Sequence, residues 1–310
     1  MRIASFTHPT DGTGRRRLGV VEGEQIADVG TADPSLPADL GPLLAAGELA
    51  RVGEALEAAA RLPLADVRLE APIAAPPSVL AIGLNYAAHV DESGMHKPDM
   101  PVVFNKQITC ITGPFDPIEV PTVAPTLVDY EGELGVVIGA RCRNVSKERA
   151  HEVVAGYLIV NDVSVRDWQK ASATMTMGKS WDTHGPTGPW LVTADEIADP
   201  HQLRIRTWVD DDLRQDASTS LMITNVWELI EFMSTAFTLL PGTIIATGTL
   251  ASQRGTFGDL AAGVAGGPRF NLQYVKDLGA NMLWFQPIHP NGIAGRQIDH
   301  GSLDVQLDDV

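Results

Sequence analysis

The chain has 310 residues, 44% of them hydrophobic, enough to bury a sizeable core, which excludes a disordered chain. Its 23 Lys and Arg against 39 Asp and Glu leave a formal net charge of −16, which repels nucleic acid and anionic membrane surfaces, so neither is expected as a partner. Two cysteines, Cys110 and Cys142, lack CxxC spacing and support neither a thiolate metal site nor a disulfide framework. With no apolar stretch ahead of a small-residue cleavage site and no run of eighteen apolar residues, a cytoplasmic protein is expected.

Residues 2–8, 17–23 and 25–29 read as short strands, and 39–62 are Ala/Leu-rich at helical spacing. Together they predict a small N-terminal α/β domain over 1–72, closed by the prolines of "EAPIAAPPSV". The texture changes over 73–310. Short β-branched or apolar runs at 79–83, 102–106, 131–139, 156–163, 188–193, 204–209 and 243–247 alternate with Gly, Pro and Asp clusters, predicting a mostly β domain. Two helices are expected there. One covers 146–156, with Ser146 as N-cap and Gly156 closing it. The other lies in 224–237, with Val226, Leu229, Ile230 and Met233 on one face. The fold class is α+β, mostly β.

Within "VDYEGELGVVIG" (128–139), Glu131 and Glu133 stand two residues apart, so on a strand they share a face with their carboxylates a few ångströms apart. A solvated strand face is the bland reading. Against it, positions 134, 136 and 138 are apolar on the other face and the run ends in "VVIG", a segment suited to burial on both sides. Buried like charges must share a proton, pair with Arg or Lys, or bind a cation. Asp162 ends another apolar run, "GYLIVNDVSVRDWQ". Three carboxylates with no His or Cys at ligand spacing form a hard oxygen site suited to Mg²⁺ or Mn²⁺ rather than Zn²⁺. Upstream, "AIGLNYAAHVDESG" puts His89 and Glu92 at i, i+3, on one side of a short helix. A carboxylate beside an imidazole raises its basicity and suits it to take a proton from water. His89 is equally readable as a helix-capping or surface histidine from this motif alone.

In order, "GLNYAAHVDE", "PVVFNKQITCITGP", "VDYEGELGVVIG", "GYLIVNDVSVRDWQ", "GKSWDTHGPTGPWLVT" and "LLPGTIIATGT" resemble the fumarylacetoacetate hydrolase superfamily over roughly residues 79–249. The resemblance implies a β-roll catalytic domain, a homodimer, and Mg²⁺ or Mn²⁺ held by Glu131, Glu133 and Asp162. It also implies that His89 and Glu92 are the catalytic pair on a mobile lid and that Lys179 neutralises the carboxylates and an anionic substrate. Arg166, Gln169 and Thr249 match substrate-contacting positions. The implied activity is metal-dependent cleavage of a carbon–carbon bond in a small β-diketo acid such as an acylpyruvate, fumarylpyruvate or fumarylacetoacetate, through a metal-stabilised enolate. Oxaloacetate decarboxylation, keto–enol isomerisation and ureidoglycolate cleavage on the same scaffold stay open, as does a catalytically silent metal-binding member.

After "IIATGT" the text departs from the superfamily. Residues 255–310 do not align with its closing strands, and 272–299 look more like a strand and helix near the start of an α-amylase-type barrel. The segment "MLWFQPI" (282–288) is expected to supply a substitute strand.

Overall fold

The computed structural model describes residues 1–250, except 10, 11, 13, 125, 126, 211 and the side chain of Glu92, together with the strand backbone at 288 and 289. The N-terminal part builds β1 (Arg2–Thr7), β2 (Arg17–Glu22), β3 (Gln25–Ala27), α1 (Val29–Ala32), α2 (Leu40–Ala46), α3 (Ala50–Ala55), β4 (Arg61–Pro63) and β5 (Arg68–Glu70). The Ala/Leu-rich tract is therefore two short helices. Asp39 caps the first with its side chain on the Gly41 N–H, and Gly47 ends it in the left-handed conformation (φ 72°), where a side chain would be strained. Arg61 and Leu62, at the end of the tract, belong to β4.

The rest runs β6 (Val79–Gly83), α4 (Ala87–Ser93), β7 (Val102–Lys106), β8 (Ile111–Thr112), β9 (Ile118–Glu119), β10 (Val128–Asp129), β11 (Gly132–Ile138), β12 (Val154–Asn161) and β13 (Ser164–Val165). There follow α5 (Arg166–Ala171), α6 (Thr176–Lys179), β14 (Gly185–Thr193), β15 (Arg204–Val209), β16 (Asp212–Ser218), α7 (Val226–Ala236), β17 (Ile244–Ala246) and β18 (Ile288–His289). Among the described residues, twelve strands form one sheet whose main path is β4-β3-β2-β1-β14-β12-β11-β17-β6-β7. The architecture is mixed and sheet-dominated, as expected. The expected boundary near residue 72 lies between β5 and β6, and β1 pairs directly with β14 through Arg2↔Val192 and Ile3↔Leu191, so the sheet runs across it.

Strands β11 and β12 are central and buried along their whole length. Their alternating side chains feed two cores: Leu134, Val136, Ile138, Tyr157 and Ile159 on one face, Val137, Leu158 and Val160 on the other. Helix α7 covers the first face with Val226, Leu229, Ile230 and Met233, as expected. A reciprocal capping box between Asn225 and Glu228 fixes its start.

The helix expected at 146–156 is instead a short 3₁₀ segment, Lys147–Val153, without a capping bond from the Ser146 side chain to the backbone, and β12 begins at Val154. Gly156 closes no helix. It sits inside β12, where a Cβ would lie 2.1 Å from the Val192 carbonyl oxygen, so close strand approach is what requires glycine there.

Strand β18 pairs in parallel with β9, Ile288 opposite Ile118, so it begins at the last residue of the segment expected to supply a strand. The remainder of 251–310, including the amylase-like stretch, lies outside the described residues. Among the described residues, no helix is long and apolar enough to cross a membrane.

Candidate metal and catalytic centre

The register Gly132↔Asn161 and Glu133↔Val160 brings the start of β11 beside the end of β12. The chain continues that pairing past the strands, the Asp162 N–H donating to the Glu131 carbonyl at 2.9 Å. Period two then sets Glu131, Glu133 and Asp162 on the face that also carries Val137, Leu158 and Val160. One carboxylate oxygen from each lies within 4.8 Å of the others, and the three residues are only 4%, 1% and 0% exposed. Three hard oxygen donors at this spacing, with no sulfur or imidazole among them, fit a single Mg²⁺ or Mn²⁺.

Two buried lysines and a half-buried arginine surround this acid cluster. Lys179, at the end of α6, donates from Nζ to Glu131 Oε2 at 2.6 Å and to Asp162 Oδ2 at 2.8 Å. Lys106, at the end of β7, places its Nζ 2.7 Å from Asp162 Oδ1. Arg166, opening α5, holds Asp129 through Nε at 2.8 Å and reaches Glu131 Oε1 with Nη1. The cluster thus opposes four buried carboxylates, Asp129 included, to three cations. A carboxylate oxygen has two lone-pair directions, so accepting from a lysine or arginine leaves it able to ligate.

The electrostatics divide the carboxylates. Burial disfavours the charge on Glu131, but Lys179, Arg166 and His89 outweigh it and hold this carboxyl well below its usual range. Glu133 goes the other way: burial, Asp162 and Glu131 push it well above its usual range, against the opposing pull of Lys179 and the Gly248 N–H. That N–H donates to Glu133 Oε2 at 2.8 Å. Glu133 is therefore the carboxylate in which a doubly positive ion would relieve the most repulsion.

His89 lies on α4, half-buried and close enough for its charge to lower the Glu131 pKa. The backbone of Glu92 is on the same helix; its side chain lies outside the described residues. At the base of this helix Asn85 donates to the carbonyls of Thr224 and Thr247 and accepts from the Thr224 N–H, pinning the connection from β6. Gln169 accepts from Arg166 Nη1 at 2.9 Å, one turn along α5. Thr249 is buried and accepts from Gln215 Nε2 at 2.9 Å.

Gln215, Asp129 and Lys106 were not singled out in the sequence. The amide of Gln215 also accepts from the Gly132 N–H and the Thr207 hydroxyl, tying the β15–β16 hairpin to the start of β11. Asp129 is the second carboxylate partner of Arg166, beside Glu131. The one signal for Lys106 is its phase: Phe104 and Lys106 are buried while Asn105 is exposed, so a lysine occupies the inward position of a strand.

Residues 78–277 match the family model for the C-terminal domain of fumarylacetoacetate hydrolase. The chain belongs to the fumarylacetoacetate hydrolase family. Within it, the chain is similar to the fumarylacetoacetate hydrolase of psychrophilic Exiguobacterium antarcticum, with 38% identity over 81% of this chain and 87% of that one and a TM-score of 0.72. Maleylpyruvate hydrolase of Sphingobium sp. SYK-6, solved with manganese(II) and pyruvate, is 36% identical over 83% of this chain and 90% of that one, with a TM-score of 0.68. The mitochondrial oxaloacetate tautomerase fahd2 of Xenopus laevis is 39% identical over 254 residues, 80% of this chain and 79% of the relative. Membership in a family of such relatives makes the chain an enzyme.

Proposed function

We propose that this enzyme is a divalent-metal-dependent hydrolase that cleaves a carbon–carbon bond in a small β-diketo acid of the acylpyruvate, fumarylpyruvate or fumarylacetoacetate type. The observation that carries the reading is the buried trio Glu131, Glu133 and Asp162, ringed by Lys106, Lys179 and Arg166, with His89 within electrostatic reach. The manganese(II) and pyruvate in the maleylpyruvate hydrolase relative support it. Glu131, Glu133 and Asp162 would hold Mg²⁺ or Mn²⁺. When bound, the dication supplies Lewis-acid polarisation of an α-keto acid and positive charge where an enolate develops.

The remaining work falls to side chains. Lys179 offsets the carboxylates and faces an anionic substrate, and Arg166, Gln169 and Thr249 would orient that substrate. His89, assisted by Glu92, takes a proton from water, and the hydroxide oxygen bonds to the carbonyl carbon remote from the carboxylate. The carbon–carbon bond beside it then breaks. Its electron pair passes to the keto-acid fragment, which is protonated and leaves as a 2-keto acid from an acylpyruvate or as acetoacetate from fumarylacetoacetate, while the other fragment leaves as a carboxylic acid.

A second reading, keto–enol tautomerisation of oxaloacetate, is favoured by the 39% identity to the tautomerase and needs proton transfer without attack by water. An ultraviolet-monitored panel of acylpyruvates, fumarylpyruvate, oxaloacetate and ureidoglycolate, with Mg²⁺, Mn²⁺ or chelator, separates the two. The hydrolase reading expects metal-dependent loss of β-diketo absorbance with release of a 2-keto acid. His89→Ala should lower kcat by roughly two to four orders of magnitude. Wild-type turnover by metal-loaded His89→Ala would remove His89 from this role, and turnover confined to oxaloacetate without release of pyruvate would select the tautomerase.

A further inference from the structure

We infer that Lys106 is a positioning residue for the metal centre, fixing the orientation of Asp162 and the place of Lys179 from β7. The inference rests on the reading of Glu131, Glu133 and Asp162 as cation ligands. Lys106 is 2% exposed, and a lysine that deep is tolerated only with its ammonium fully engaged. Its three donor positions converge on one place. Nζ lies 2.7 Å from Asp162 Oδ1, donates to the backbone carbonyl of Lys179, and lies 3.5 Å from the carbonyl of Val163. One side chain thus ties the segment after β12 to the end of α6.

The two lysines divide Asp162 between them. Lys179 takes Oδ2 and bridges to Glu131, so it shares both carboxylates with any ion that enters. Lys106 forms an ion pair with Oδ1, an oxygen that accepts no hydrogen bond among the described residues, and anchors on main-chain carbonyls. With Oδ1 held, the carboxylate plane of Asp162 is set and Oδ2 is directed toward Glu131. With the Lys179 carbonyl held, the base from which the Lys179 side chain reaches is set too. Outer partners of metal ligands act in this way, and their loss typically weakens metal affinity about 10–100-fold.

Charge alone predicts the opposite sign. Deleting a positive charge beside an acidic trio makes the site more negative and would tighten cation binding. A purely stabilising role predicts a lower melting temperature with unchanged affinity of the folded protein. The test is a Mn²⁺ titration of the full chain, with free Mn²⁺ read by electron paramagnetic resonance, for wild type, Lys106→Met and Lys106→Gln. Positioning predicts a Kd raised about 10–100-fold in Lys106→Met, with Lys106→Gln, which keeps a donor without the charge, recovering part of the loss. Should Lys106→Met not fold, Lys106→Gln decides, its Kd lying above that of wild type. Equal or tighter binding in the folded variants overturns the inference. A wild type that binds no Mn²⁺ overturns the metal reading itself and this inference with it.

Discussion

The two ends of the β11–β12 ribbon are alike in burial and opposite in chemistry. At one end Ile138 pairs with Val154 in an apolar layer; at the other Glu133 and Asp162 are as deeply enclosed. At the apolar end burial is itself the stabilising term, about 25 cal/mol for each Å² removed from water. At the acidic end burial opposes folding and is offset only because Lys106, Lys179 and Arg166 reach in from three other elements. Strand geometry is indifferent to this contrast. The charged end is held by partners distant in sequence, and it is there that an ion can enter.

The contrast makes the acidic end the more fragile one. Asp162→Ala leaves two buried ammonium groups short of a partner and should cost about 3–5 kcal/mol in urea unfolding of chelator-treated protein; a loss as small as that at an apolar position would mean the charges are already solvated. A neighbouring buried group shows what happens without an opposite charge in contact. His184 is fully enclosed and bonded through Nε2 to the Glu119 carbonyl, and burial pulls its pKa down to about 4. The folded state therefore resists protonation while the unfolded chain accepts a proton near its ordinary value of about 6.5. The contribution of His184 to stability is full above pH 6.5 and falls by up to about 1.4 kcal/mol per unit as pH drops toward 4, levelling below that. His184→Gln should flatten this part of the profile of unfolding midpoint against pH, whereas parallel wild-type and variant curves would place the acid sensitivity elsewhere. The smallest effect belongs to the apolar end: Ile138→Val should cost about 1 kcal/mol and leave Mn²⁺ affinity unchanged.

What could be read in the sequence follows the same division. Period two placed Glu131 and Glu133 on one face, and the apolar stripe of 226–233 fixed α7, because both patterns are local. Asp162 stood out as the polar end of an apolar run, Lys179 entered through a family resemblance covering most of the catalytic part, and the structure brings them within 2.8 Å of each other. Lys106, Asp129 and Gln215 act across 57, 37 and 83 residues on Val163, Arg166 and Gly132, and no local pattern carries such pairings. Strand β16 was missed for a related reason: "DLRQDAS" is too polar to look like a strand, and its Gln215 is buried only because the hairpin folds onto the start of β11. Gly156 was misplaced because the carbonyl that forbids a side chain there belongs to Val192, in another strand.

That three enclosed carboxylates hold one divalent ion is tested most directly by counting Mn²⁺ bound per chain, in wild type and in Glu133→Gln. The account predicts one ion per wild-type chain and an affinity lower by about tenfold or more in the variant, because an amide cannot supply the charge that offsets two positive units. A wild type that binds none, or a Glu133→Gln variant that binds as tightly as wild type, would contradict it.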